Sequence, residues 1–161
     1  MAILPIRVVP EPVLRQKSKR VKLIDSSIQR LIGNMLETMH SASGVGLAAP
    51  QVGTLLRVIV IAIPREDDIA LINPEVVRRA GERLVTEGCL SIPGYFGEIK
   101  RAESVRVKGR NLNGKEIRIK ANELLAQALE HEIDHLNGVL YIDYLESPHK
   151  LHKIEPEIAQ F

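Results

Sequence analysis

Residues 122–138 read NELLAQALEHEIDHLNG. Asn122 is a residue type that caps helix starts and Gly138 one that closes helix ends, so the stretch reads as one bounded helix. Each helical residue turns the chain by about 100°, which places His131 and His135 only about 40° apart in projection. Leu124 and Ala128 fall on the same stripe. Leu125, Leu129, Ile133 and Leu136 cover an adjoining one. Glu123, Glu130, Asp134 and Asn137 project the other way and are expected to face solvent. The histidine pair therefore lies on the buried side of an amphipathic helix, where a polar side chain without a partner is costly.

His131-Glu132-Ile133-Asp134-His135 is an HExxH pattern. Two neutral imidazoles one turn apart can hold a divalent ion and leave room for water or a third ligand. Glu132, beside them, can move a proton without ligating. The alternative is two incidental core histidines, which would be costly to bury unpaired. A metal-dependent hydrolase is the reading of this helix alone.

Outward from it, residues 1–24 are punctuated by proline and read as an extended arm. A first helix is expected from Ser26 to Met39, with Ile28, Leu31, Ile32, Met35, Leu36 and Met39 at helical spacing. Ser26 with Gln29 resembles a capping box. Ser41 to Gly46 forms a small-residue loop. Leu55 to Ile63 is nearly all apolar and reads as a buried strand. Ala70 to Val77 contains Pro74, which predicts a short or edge strand. Arg83 to Ile92 leads into a turn at Pro93-Gly94. Val105 to Gly109 and Glu116 to Lys120 read as a hairpin across Asn113-Gly114. Helix, then antiparallel strands, then helix favours an α+β fold over a parallel layout.

With 161 residues, 45% hydrophobic and 26% charged, the chain suits one domain with a real core. Aromatics are only 3% and net charge is +2, which speaks against base-stacking or basic-stripe nucleic-acid readers, so no DNA partner is expected. No segment reads as a signal peptide or membrane span, which predicts a cytoplasmic location and no membrane partner. Organellar stroma or matrix would apply if a transit peptide has been removed. Neither a P-loop nor a GxGxxG pattern occurs. His40, His149 and His152 read as surface residues. The basic tail around His149, Lys150, His152 and Lys153 reads as solvated, with ribosome contact as the alternative.

A catalytic metal needs a third protein ligand. Downstream, Asp143 and Glu146 form no clear partner motif. Upstream, Glu87-Gly88-Cys89-Leu90-Ser91 holds the sole cysteine, and a thiolate is a strong ligand for Zn²⁺ or Fe²⁺. Spacing alone does not join Cys89 to His131. At this point three candidates stand: a hydrolase using Cys89, a zincin-type protease that gives Cys89 no role, and a non-enzymatic metal binder.

Three segments in order resemble the peptide deformylases: Gly44-Val45-Gly46-Leu47-Ala48-Ala49-Pro50-Gln51, Glu87 to Ser91, and His131 to His135. The resemblance implies antiparallel β-sheets packed around a central helix that carries HExxH, as a single catalytic domain over residues 1–161. It implies removal of the formyl group from the N-terminal methionine of nascent polypeptides. Cys89, His131 and His135 would bind one divalent ion, commonly Fe²⁺, with Zn²⁺, Ni²⁺ or Co²⁺ as alternatives. Glu132 would be the general base and acid, with the Gln51 amide and the Leu90 N–H holding the oxyanion. The Val45 N–H and Gly46 C=O would pair with the substrate backbone as an added strand would. Val45, Val85, Gly88, Leu124, Gln127 and Ala128, with His131, would bind the substrate, Gln127 at the pocket rim. Glu87 and Arg101 would pair to brace the cysteine strand. Ser43 stands where many members have Glu, and Gln127 where many bacterial members have an apolar residue.

Overall fold

The computed structural model describes residues 1–153 and 160–161. In chain order its elements are α1 (Ser26–Ser41), β1 (Gly46–Ala48), β2 (Val58–Ile61), β3 (Ile69–Ala80), β4 (Arg83–Cys89) and β5 (Ile92–Arg101). Then follow β6 (Ser104–Arg110), β7 (Glu116–Asn122), α2 (Glu123–Leu136) and β8 (Leu151–Lys153). The strands form a five-stranded sheet, β1-β2-β3-β6-β7, and a three-stranded sheet, β4-β5-β8. Every pair of neighbouring strands is antiparallel.

The unbroken apolar run of β2 has a simple cause. Successive strand residues point to opposite faces, and both faces are covered. Val58 and Val60 pack with Ile28, Ile32, Met35 and Met39 of α1. Ile59 and Ile61 pack with Ala128, Leu129, Ile133 and Leu136 of α2. A third cluster joins Val85, Cys89, Ile92 and Ile99 of the smaller sheet to Leu140 and Tyr141 beyond α2. The HExxH helix is thus enclosed between the two sheets.

Several local expectations change. The cap of α1 is Asp25, not Ser26: its carboxylate accepts from the Ser27 N–H at 3.0 Å and the Ile28 N–H at 3.2 Å. A carboxylate reaches these free helix donors at least as well as a hydroxyl. β3 is neither short nor at an edge. It spans 12 residues at the centre of its sheet. The register shifts between Ile72 and Glu75, so Pro74 sits in a bulge where its missing N–H breaks no ladder bond. Asn73, in the same bulge with φ 53°, accepts from the Val21 N–H and donates to the Val21 carbonyl, which anchors the arm. The β4–β5 turn is Leu90-Ser91, because Cys89 pairs with Ile92. Pro93 and Gly94 lie in the bulge that follows, with Gly94 at φ 86°.

The β6–β7 hairpin forms as expected, and Gly114 takes φ 78° in its turn. α2 closes at Asn137, and Gly138 follows with φ 73°, a left-handed conformation suited to glycine. Its Glu130 and Asp134 do not face solvent. Glu130 accepts from the Ala102 N–H and from Arg79, and Asp134 accepts from Arg101 and Tyr144. The strands supply cations and donors that allow α2 to be buried almost all round.

Candidate active site

His131 and His135 sit one turn apart on α2, and Cys89 ends β4 directly opposite. Cys89 Sγ lies 3.4 Å from His135 Nε2, which lies 3.2 Å from His131 Nε2. All three donor atoms fall within 4.8 Å of one another, and all three residues are buried. His131 Nδ1 contacts Glu87. A carboxylate there can only accept, so Nδ1 carries the proton and the Nε2 lone pair is free for an ion. Burial, reinforced by nearby His131, pushes the His135 pKa well below 6.5 and keeps its ring neutral. Burial also drives the Cys89 thiol far above its ordinary range. A thiol so raised is a poor nucleophile. It becomes a good ligand only when a cation displaces its proton.

Glu87 anchors this arrangement. It accepts from Arg101 Nε at 3.0 Å and Nη2 at 2.5 Å, while Arg101 Nη1 reaches Asp134 at 2.7 Å. The cation thus ties β4, β5 and α2 together. Burial alone would raise the Glu87 pKa. The hydrogen bond from His131 and the charge and hydrogen bonds of Arg101 outweigh it and hold the carboxyl at about 2.

Glu132 is the opposite case. It is fully buried, and neither carboxylate oxygen has a hydrogen-bond partner among the described residues. Burial, then the Glu87 charge, lifts its pKa well above 4.5. A side chain added at Gly46 would collide with this carboxylate, so glycine there keeps its place open. On the far wall, Gln51 Oε1 accepts from the Ala48 N–H at 2.9 Å. That bond aims Gln51 Nε2 at Ser91 Oγ, 3.1 Å away, and toward Cys89 Sγ at 3.8 Å. The arm clamps both parts of this wall: the Arg7 N–H donates to the Gln51 carbonyl and the Val9 N–H to the Ser91 carbonyl.

A thiol and two imidazoles in convergence, beside an unpartnered buried carboxylate, fit a divalent metal and an activated water. A sequence model of the polypeptide deformylases matches residues 3–151. The chain belongs to the peptide deformylase family. The peptide deformylase of Dehalococcoides mccartyi strain CBDB1 is 58% identical over 158 residues, which is 98% of this chain and 95% of that protein. That of Thermodesulfovibrio yellowstonii is 54% identical over 147 residues, 89% of each chain. Among solved structures, the Legionella pneumophila deformylase superposes with a TM-score of 0.89 at 47% identity, over 92% of this chain and 89% of that one. The Synechococcus elongatus deformylase, solved with actinonin, gives 0.88 at 44% identity over 91% and 81%. The chain is accordingly a metal-dependent hydrolase that removes the formyl group from N-terminal formyl-methionine of newly made proteins.

Around this deformylase centre, the structure gathers most residues expected at the substrate. Val45 and Leu124 are partly exposed and pack against the cluster that holds Ala128 and the ring of Phe161. Val85 lies on the other side, among Cys89, Leu140 and Tyr141. Gly46 is taken up in the β1–β2 ladder opposite Ile61. Gln127 is buried, and its amide donates to the Thr86 carbonyl at 3.0 Å and to Glu87 Oε2 at 3.2 Å. The unfilled hydrogen-bonding capacity of β4 draws it inward.

Four residues at the site had no role assigned from sequence. Ser91 receives the Gln51 amide, Tyr141 flanks His131 with ring centroids 6.4 Å apart, and Gln160 and Phe161 lie in the cleft itself. Only the EGCLS context could have flagged Ser91.

Proposed function

We propose that Cys89, His131 and His135 hold one Fe²⁺ ion, with Zn²⁺, Ni²⁺ or Co²⁺ as substitutes, and that Glu132 moves the proton in formyl-methionine hydrolysis. The observation that carries this is the pairing of a Cys/His/His donor set with an unpartnered, fully buried glutamate. A divalent ion held there supplies Lewis acidity, which polarises a carbonyl and makes water a nucleophile at neutral pH. Glu132 takes a proton from the attacking water and passes it to the departing amine, leaving formate and a free N-terminus. With neither oxygen held by a partner among the described residues, its carboxylate is free for both halves of that exchange.

Negative charge grows on the formyl oxygen during attack. The Leu90 N–H and Gln51 Nε2 are the donors assigned to it. The Val45 N–H and the Gly46 carbonyl, with the Gly88 carbonyl, hold the peptide backbone as an added strand. Val45, Val85, Leu124, Ala128 and His131 receive the methionine side chain. Gln127 is assigned to supporting Glu87 rather than to touching substrate. The reading places the reaction in the cytoplasm, or in an organellar stroma or matrix. It allows transient ribosome contact through the exposed His149, Lys150, His152 and Lys153. No helix among the described residues is long and apolar enough to cross a membrane.

The test is an anaerobic assay of iron-loaded protein on formyl-Met-Ala beside acetyl-Met-Ala. Release of formate from the first with the second untouched is expected, and no deformylation would overturn the proposal. Cys89→Ala should lose most bound metal by atomic absorption. Unchanged metal content in that variant would remove Cys89 from the ligand set.

A further inference from the structure

The cleft already contains a peptide, and it is the protein's own. Gln160 and Phe161 run along Gly88 at the free edge of β4, where a parallel bridge joins Gly88 to Gln160. The Phe161 N–H donates to the Gly88 carbonyl at 3.3 Å, and the Leu90 N–H donates to the Phe161 carbonyl at 2.7 Å. On the other side, the Val45 N–H donates to the Gln160 carbonyl at 3.0 Å. The two residues thus bridge the edge of the smaller sheet to the chain just before β1, the edge strand of the larger sheet. The Phe161 side chain is fully buried, its ring stacked on that of His131 with centroids 5.0 Å apart and planes 28° apart.

These are the groups that the proposed function gives to substrate: the Val45 N–H and Gly88 carbonyl for its backbone, the Leu90 N–H for its oxyanion, the apolar wall by His131 for its side chain. We infer that residues 160–161 are an intramolecular competitor that must leave before a formyl peptide enters, an inference that rests on that reading. One seat cannot hold two strands, since each backbone donor is single. Intramolecular seating is within reach. Six residues, 154–159, separate Lys153 from Gln160. An extended chain covers about 3.3 Å per residue, so the seven steps from Lys153 to Gln160 reach roughly 23 Å. From β8 across β5 and β4 to the cleft edge is three strand spacings, roughly 15 Å.

A tail seated nine-tenths of the time would raise the apparent KM about tenfold and leave kcat unchanged, because only the open fraction binds substrate. The experiment compares the full chain with a form ending at Ala159 and with Phe161→Ser, which keeps the chain length. Hydrogen exchange by mass spectrometry should show the Val45 and Leu90 amides protected in the full chain and faster in both variants. KM for formyl-Met-Ala should fall several-fold, and a synthetic peptide of residues 154–161 should restore inhibition competitively. Equal exchange at Val45 and Leu90 in all three proteins overturns the inference. So does protection that appears only as protein concentration rises, which would put the tail in a second copy. Exchange that changes as expected in protein lacking any deformylase activity upholds self-occupation and removes the assigned substrate chemistry instead.

Discussion

Glu87 and Glu132 are both fully buried in the wall between β4 and α2, and their surroundings are opposite. Glu87 accepts from two Arg101 nitrogens, from Gln127 and from His131. Glu132 accepts from nothing among the described residues. One carboxyl is held at about 2, while the other is lifted well above 4.5. A buried charge is tolerable when paired and costly when not. The support of the site is therefore built for stability, and its reacting centre sets stability aside so that one carboxyl can both take and give a proton.

The sharpest way to break this contrast is at Glu132. Glu132→Gln should lower turnover on formyl-Met peptides by about 10²- to 10⁴-fold, the usual worth of a general base. Metal content should be unchanged, because Glu132 is not in the donor set. The metal-free variant should melt at the same temperature or higher, since an amide carries no charge to desolvate. Turnover within tenfold of the parent would show that Glu132 does not carry the proton.

On the supporting side, Arg101→Leu leaves Glu87 without its cation and weakens Asp134 as well. Removing one partner of a buried pair costs about 3–5 kcal/mol, which urea unfolding would read as a lower midpoint. Metal affinity should fall too, because Glu87 orients His131. A loss under about 1 kcal/mol would mean that the Glu87–Arg101 pair is not what fixes β4.

The pH dependence follows from the same pair. The folded pKa of Glu87 lies below its ordinary 4.5, so the unfolded chain binds its proton more readily. Its contribution is fully present above about pH 4.5 and is lost as pH falls toward 2. Glu132 has the opposite sign. Its folded pKa is raised, so its penalty in metal-free protein grows as pH rises above 4.5. Comparing Glu87→Gln with the parent across that acid window should show a difference that closes as pH falls. A gap that stays constant with pH would assign the loss to packing.

What could be read from sequence was local. The α2 boundaries, the Asn113-Gly114 hairpin and the two histidines on one stripe depend on residues within a turn or two of each other. The position of Pro74 in a central strand was hidden, because it depends on a register shift against β6. The burial of Glu130 and Asp134 depends on Arg79 and Arg101, which reach them from other strands. Spacing never joined Cys89 to His131; the family motifs did, and the packing of β4 along α2, with Glu87 on His131 and Cys89 on His135, explains why they fit. Nothing in residues 160–161 announced that Phe161 would stack on His131.

Gln127 carries the smallest prediction and the finest distinction. Helical projection put it between the histidine stripe and the polar face, a position that serves either a pocket rim or the interior. The structure turns its amide onto Thr86 and Glu87. Gln127→Met keeps the volume and removes both donors. The Thr86 carbonyl then lacks this donor, while Glu87 keeps Arg101 and His131, so the cost should be about 1–2 kcal/mol. For a chain of this size that is a melting shift of a few degrees. If Gln127 supports Glu87, the KM values for formyl-Met and formyl-norleucine peptides should move together, and only slightly. If it touched the substrate side chain, the ratio of the two would change while the melting temperature stayed put, and the assignment of Gln127 to the supporting side would fail.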